Sequence, residues 1–414
     1  MLPPLILLAV CLIDYISALP PTLHKRASSY VALPFSTKRT SSVQKRDSDA
    51  LSAFDSPLER ASSLYYIEVG IGTPPQMIDL VLDTGSSVIW AYSAGVASSC
   101  SECGSAYYDP SESQTAIDRE DLGVLNISYG STTGVSGFYI SDTLTTQDTS
   151  AQDIVIGVAT HAAKGDPQGG IMGIGLPQNE PSYLGYGIEY PGYIDQLQAQ
   201  GLIGVRAYSV YLNAISATAG MVIFGGYDSS KWLGDLVGFP LIEPSPDRQF
   251  DLDVAAPTIS LSLNGQTWEI PPSTVPYTVT LDTGTTISRL PQTQVAAIAA
   301  ALGASLSTSD SEVYTYVLDC GLASSAGGLS FTFADVSGSV TITVPYSELI
   351  MDGSSAGQCM LGMWGEPDDT ENGNFILGDT FLRSAYVLYN FDDMTVSLAQ
   401  ANWNSDCEDC IQPL

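Results

Sequence analysis

One seven-residue segment occurs twice in this chain. Val81-Leu82-Asp83-Thr84-Gly85-Ser86-Ser87 returns 199 residues later as Thr280-Leu281-Asp282-Thr283-Gly284-Thr285-Thr286. Self-similarity at a fixed spacing is the signature of a duplicated architecture. Each copy follows an apolar run, and each is followed downstream by an apolar-apolar-Gly element, Ile171-Met172-Gly173 in one half and Ile376-Leu377-Gly378 in the other. Around these landmarks, short runs rich in Val, Ile, Thr and Tyr are punctuated by Gly and Pro. Segments 65–71, 77–82, 124–129, 138–144, 154–159, 207–212, 221–224, 278–281, 329–333, 340–344 and 386–391 read as strands. Only 191–200 and 291–302, each stopped by a Gly, read as helices. The expected class is mostly β with a few short helices. Two similar β-rich lobes, 47–230 and 231–414, would meet at their Asp loops.

Such a loop has a simple physical logic. The Asp sits at a strand end, Gly permits a tight turn, and the Thr or Ser hydroxyls can hydrogen-bond the carboxylate and the nearby backbone. One Asp-Thr-Gly is an ordinary turn; two in matched contexts are a pair. Carboxylates within hydrogen-bonding distance cannot both ionise easily, so they share a proton over an acidic range. The ionised member can then take a proton from a bound water while its partner gives one to a carbonyl oxygen. The outcome is hydrolysis through a tetrahedral intermediate without a covalent enzyme adduct. Asp83 and Asp282 are the predicted catalytic pair. This chemistry needs no metal, no cofactor, no His and no nucleophilic Ser, and His161 is the one His beyond residue 46.

The start of the chain differs from its body. Residues 5–13 are apolar and Ile16-Ser17-Ala18 offers a small residue for cleavage, so 1–18 reads as a secretory signal. Residues 19–46 carry three dibasic pairs, Lys25-Arg26, Lys38-Arg39 and Lys45-Arg46, and no acid. They read as a basic pro-segment, cut after Arg46 by a dibasic processing protease. Removing residues 1–46 takes six of the 14 Lys+Arg and one of the 45 Asp+Glu, leaving 8 bases against 44 acids. A body that acidic has no broad attraction for phosphate backbones, so nucleic acid is not an expected partner. No second long apolar run follows, and no membrane anchor is expected. A secreted, extracellular monomer is the expectation. Cys11 leaves with the signal, and six Cys remain. An even number in an exported chain implies disulfides, and proximity suggests Cys100–Cys103, Cys320–Cys359 and Cys407–Cys410 among 15 connectivities. Gly353-Ser354-Ser355-Ala356-Gly357 matches a nucleophile-elbow pattern but has no helical run after it, so it reads as a Gly/Ser turn. Asn126-Ile127-Ser128 is a glycosylation sequon inside a strand.

Further segments carry a resemblance. Ser86-Ser87-Val88-Ile89-Trp90, Ile127-Ser128-Tyr129-Gly130-Ser131, Phe224-Gly225-Gly226-Tyr227-Asp228 and Phe375-Ile376-Leu377-Gly378-Asp379-Thr380-Phe381-Leu382-Arg383 join the two Asp loops. With them, residues 47–414 resemble the pepsin-like aspartic endopeptidases, in the fungal secreted branch near the yapsins and candidapepsins. The resemblance implies a pepsin-like bilobal fold with a central cleft, hydrolysis of peptide and protein substrates at acidic pH, and synthesis as a zymogen. It implies that Thr84 and Thr283 lock the two loops together and that Ser86 and Thr285 orient the outer carboxylate oxygens, with Gly85 and Gly284 completing the turns. Tyr129, Gly130 and Ser131 would form a flap over substrate, the Tyr hydroxyl directed toward Trp90, with Ile171 and Thr286 completing the binding set. Segment 30–38 resembles the family's pro-strand, whose terminal basic residue, Lys38, would block the dyad. Cys100–Cys103 fits a shortened first loop and Cys320–Cys359 the bridge of the second lobe, whereas Cys407–Cys410 has no counterpart. Two positions depart from the family pattern: Thr132 where a second flap Gly is usual, and Gly169 where an Asp is usual. Both bear on flap mobility and subsite shape.

Overall fold

A computed structural model of the chain describes residues 30–39 and 63–414, except 98–102, 104–105, 130–132, 148, 163–168, 218, 243–250, 310–312, 356, 369–374, 406 and 408–409. A 14-stranded sheet runs through both halves of the sequence. Its order is Trp232–Pro240, Thr395–Ala401, Ala385–Asn390, Ala207–Tyr211, Ala219–Phe224, Val31–Arg39, Ser63–Ile71, Gln76–Asp83, Gly170–Gly173, Ile89–Tyr92, Thr149–Ala162, Thr133–Thr146 and Ile117–Asp118, with Val124–Tyr129 paired onto Thr133–Thr146. A second sheet of nine strands and a third of four belong to the later half.

The sequence repeat is also a topological repeat. In the first half, Gln76–Asp83 runs parallel to Gly170–Gly173, which is antiparallel to Ile89–Tyr92, which is parallel to Thr149–Ala162. In the second half, Thr278–Leu281 runs parallel to Phe375–Leu377, which is antiparallel to Ser288–Pro291, which is parallel to Met363–Glu366. In each half the Asp loop joins the first and third strands of this unit, and the apolar-apolar-Gly strand lies between them. Continuous apolar runs arise where both faces are covered. Leu80 and Leu82 point into the main core, while Val81 joins a second cluster with Trp90, Tyr92 and Ile171. Burial of each such side chain contributes about 1.5–3 kcal/mol.

Val31–Arg39 is a central strand of the large sheet, between Ala219–Phe224 and Ser63–Ile71. Val31, Leu33 and Phe35 are buried and alternate with more exposed neighbours, and the Phe35 ring meets Tyr65 edge-on at 5.3 Å. The segment read from sequence as part of a basic leader therefore supplies core. Thr133–Thr146 and Thr149–Ala162 extend well past the expected 138–144 and 154–159. Their added ends are Thr-, Ser- and Gln-rich, so hairpin pairing extends them without an apolar signal. The two expected helices form over Tyr193–Ala199 and Gln292–Ala301, slightly shorter than their patterns. Asp195 Oδ2 accepts the Gly192 N–H at 2.8 Å to begin the first, and Pro291 ends a strand before the second.

Cys320–Cys359 and Cys407–Cys410 are bonded. Cys103 is disulfide-bonded, and Cys100 lies outside the described residues. The Gly353–Gly357 pattern joins strands Ile350–Ser355 and Gln358–Leu361, a hairpin with no helix behind it.

Candidate active site

The ends of strands Gln76–Asp83 and Thr278–Leu281 deliver Asp83 and Asp282 to one place. The two carboxylates are held alike. Asp83 Oδ1 accepts the Gly85 N–H at 2.8 Å, and its Oδ2 accepts the Ser86 hydroxyl. Asp282 Oδ1 accepts the Gly284 N–H at 2.7 Å and its Oδ2 the Thr285 hydroxyl at 2.6 Å. The glycines are required by close approach. A Cβ on Gly85 would lie 2.5 Å from Asp282 Cγ, and one on Gly284 would lie 2.5 Å from Asp83 Oδ1. Each loop's backbone is thus the wall against which the other loop's carboxylate rests.

Thr84 and Thr283 tie the loops together reciprocally. The Thr84 N–H donates to Thr283 Oγ1 at 3.1 Å and the Thr283 N–H to Thr84 Oγ1 at 3.0 Å. Each hydroxyl in turn donates across to the opposite strand, Thr84 to the Leu281 carbonyl at 2.7 Å and Thr283 to the Leu82 carbonyl at 2.8 Å. All four bonds are buried, and stranding a buried donor and acceptor costs about 1–3 kcal/mol. Thr84→Val should therefore lower unfolding stability by about that amount. Thermal unfolding that moves by less than the error of the measurement would show the lock to be dispensable.

Asp83 is 5% exposed and Asp282 7%. Burial raises the Asp83 carboxyl well above the usual range, the Asp282 charge adds to this, and the Ser86 and Gly85 hydrogen bonds oppose it. A pair so placed keeps a proton between its members into weak acid. Strand Val124–Tyr129 brings Tyr129 over this region, where its hydroxyl accepts the Trp90 indole N–H at 2.8 Å. Burial and the nearby Asp83 push the phenol's ionisation far up, so it stays a neutral hydroxyl. Trp90 is fully buried and lies opposite Ile171 in the sheet. Thr286 is buried, and its carbonyl accepts the Thr380 N–H at 3.1 Å. Gly130, Ser131 and Thr132 lie outside the described residues. Lys38 stands in strand Val31–Arg39 opposite Leu64, and its side chain lies outside what is described. Gly169 has φ +83°, and a Cβ there would lie 2.1 Å from the Asp79 carbonyl oxygen, so this backbone accepts no Asp.

Sequence reasoning missed two buried acids here. Asp379, in the quoted Phe375–Arg383 segment, is fully buried, and neither carboxyl oxygen has a hydrogen-bond partner among the described residues. Burial raises its ionisation well above the usual range, against the pull of Arg383, and the Asp282 and Asp83 charges add to the rise. Arg383 itself donates to Glu348 Oε2 at 2.5 Å, and Glu348 also accepts the Ile215 N–H at 3.1 Å. The second acid is Glu180, 1% exposed, just before helix Pro181–Tyr186. Its place in a polar Gln-Asn-Glu-Pro stretch gives no sign of burial.

Comparison with known proteins agrees with this geometry. Residues 64–401 match the family model described as eukaryotic aspartyl protease. The probable aspartic-type endopeptidase opsB of Aspergillus fumigatus is 33% identical over 362 residues, covering 84% of this chain and 70% of that protein. Candidapepsin-2 of Candida parapsilosis is 32% identical over 403 residues, covering 95% of this chain and 89% of its own length. In fold, the crystal structure of an aspartic proteinase from Irpex lacteus superposes with a TM-score of 0.66 at 22% identity, covering 91% of this chain and 99% of that one. With its paired Asp loops, their Thr lock and a match spanning both halves, the chain belongs to the eukaryotic aspartyl protease family, the aspartic-type endopeptidases.

Proposed function

We propose that this protein is a secreted endopeptidase that hydrolyses peptide bonds in acid, using Asp83 and Asp282 as a one-proton pair and made as a zymogen. The observation that carries the reading is the mirrored anchoring of two buried carboxylates, each resting against the other loop's glycine. One carboxylate is ionised and the other protonated. The ionised member takes a proton from water as the water oxygen bonds to the peptide carbonyl carbon, and the protonated member gives its proton to the carbonyl oxygen. Collapse of the diol breaks the C–N bond, and a proton passes to the leaving nitrogen. Ser86 and Thr285 hold the outer oxygens so that this exchange stays between the inner ones. Tyr129, with Gly130 and Ser131 beyond it, closes over an extended substrate backbone.

Support for export comes from the apolar 5–13 segment and the dibasic pairs before residue 47, and one relative is named secreted aspartic protease 5, from Candida albicans. The lobes are assigned as 47–230 and 231–414. The partners are peptide substrates, the chain's own pro-segment and a dibasic processing protease. The test is digestion of a mixed peptide library at pH 4 by the processed protein, with and without pepstatin. Pepstatin-sensitive cleavage is expected, and a folded, processed protein that cuts nothing would overturn the reading. Latency is assigned to Lys38 acting on the ionised pair near neutral pH. Lys38→Ala proprotein should therefore show peptidase activity at pH 7 that the wild-type proprotein lacks, and equal latency of the two would remove Lys38 from the mechanism.

A further inference from the structure

The duplication identifies a residue whose role differs between the two lobes. Trp90 lies seven residues after Asp83, and Arg289 lies seven residues after Asp282. Their pairing matches as well. Trp90 is opposite Ile171 and beside Gly157 of a parallel strand, and Arg289 is opposite Ile376 and beside Trp364 of a parallel strand. Arg289 is therefore the second lobe's counterpart of Trp90. Trp90 is fully buried, with its N–H engaged by Tyr129. The side chain of Arg289 is 34% exposed.

Strand alternation tells which way it faces. Val279, Leu281, Leu290, Met363 and Leu377 are fully buried on one face. Between them, Ile376, Arg289, Trp364 and Glu366 are half-buried on the other. Thr280 shares that second face, and the period of two carries it on to Asp282. Arg289 thus belongs to the face from which the catalytic carboxylate projects, along the wall a bound peptide must follow.

The guanidinium is prepared there. Its carbon lies 5.5 Å from the Trp364 ring centroid, within cation–π range. Glu366 Oε1 faces its Nη1 at the long distance of 3.5 Å. The Arg289 Nε–H and the Trp364 indole N–H are buried and have no acceptor among the described residues, so the guanidinium reaches solvent through its terminal nitrogens. Glu366 is 15% exposed at its side chain against 34% for Arg289, so the cation is the group offered to solvent. In a chain with 45 acids and 14 bases, that is the less common charge on any surface.

We propose that Arg289 is a specificity-determining residue, which favours substrates carrying a carboxylate side chain at the position lying against strand Ser288–Pro291. A guanidinium whose side chain is one-third exposed meets a carboxylate through a charge-assisted hydrogen bond. The inference rests on the endopeptidase reading above. It is tested with a peptide library digested at pH 5.5, where substrate Asp and Glu side chains are ionised. At one fixed distance from the scissile bond, Asp or Glu should be preferred over Asn or Gln by about tenfold in kcat/KM, the scale of one charge-assisted hydrogen bond. Arg289→Gln should abolish that ratio, Arg289→Glu should turn it toward Lys and Arg, and Arg289→Lys should keep part of it. Each readout is a ratio within one preparation, so a variant that folds in poor yield still reports. Cleavage with no acidic preference at any position, or a preference that survives in both Arg289→Gln and Arg289→Glu, overturns the inference while leaving the endopeptidase reading standing. A wild-type protein that cuts nothing overturns both.

Discussion

Asp83→Asn should reduce kcat/KM at pH 4 by about 10³-fold or more, the scale set by losing an acid–base group that acts as a unit with its partner. Asparagine has nearly the same shape and can accept the Gly85 N–H that Asp83 accepts at 2.8 Å. It can neither ionise nor pass a proton. The variant should therefore fold, and its stability should not fall, because a buried, titration-strained carboxyl has been replaced by a neutral group. The measurement is kcat/KM on a cleaved library peptide beside a thermal unfolding curve at the same pH. Activity above a tenth of wild type would place the chemistry elsewhere. Lost activity with lost folding would leave Asp282→Asn, held by the matching bonds of the other loop, as the decisive variant.

The second large effect is on stability. Glu180 is buried beside Tyr190 and Tyr139, and the desolvation of its carboxyl outweighs the help the Tyr190 hydroxyl gives its ionised form. Burial raises its ionisation from 4.5 to about 8. The folded state therefore holds this proton across a range in which the unfolded chain has released it. More protons bound in the folded state means stability falls as pH rises. The contribution is complete below about pH 4.5 and is lost as pH climbs through about 8. Asp83 and Asp379 shift in the same direction, by burial, and add to the slope. At about 1.4 kcal/mol per pH unit for each such group, several kcal/mol disappear between weak acid and mild alkali. Glu180→Gln should match wild type at pH 4 and exceed it by a few kcal/mol at pH 8. Unfolding temperatures across that range give the answer. A flat wild-type profile, or a variant with an unchanged slope, would mean that Glu180 is not held neutral.

The difference between these two residues shows what sequence can disclose. Asp83 announces itself because its needs are local: a strand before it, a glycine and hydroxyls after it, and a second copy of the same arrangement. Thr84 and Thr283 come with it, since the lock lies inside the repeated segment. Tyr129 and Trp90 are 39 residues apart and no spacing rule joins them; resemblance alone pairs them, at a hydrogen bond of 2.8 Å. Glu180 was not legible. A glutamate beside Gln, Asn and Pro looks solvated, and what buries it is the packing of Tyr139 and Tyr190 from other parts of the chain. Arg289 stands between these cases. Its equivalence to Trp90 is countable in the sequence, but Trp364 lies in a strand whose register no local pattern sets. The outer ends of Thr133–Thr146 were missed for the same reason, as polar residues held by a partner strand.

The central position of Val31–Arg39 changes what a cut after Arg46 accomplishes. Its residues pair on both sides, 31–36 with 219–224 and 36–39 with 63–66. Severing the chain breaks none of those bonds and leaves Val31, Leu33 and Phe35 in the core. The immediate product is a nicked, two-chain body whose short chain stays in place as a non-covalent insert. Its departure would open a slot with two raw edges, each a row of unpaired N–H and C=O groups. Such a slot accepts an extended segment with the right alternation of apolar side chains. A cut after Arg46 would thus set up a competition between strands for one berth, and whichever segment occupied it would become part of the sheet joining the two halves of the molecule.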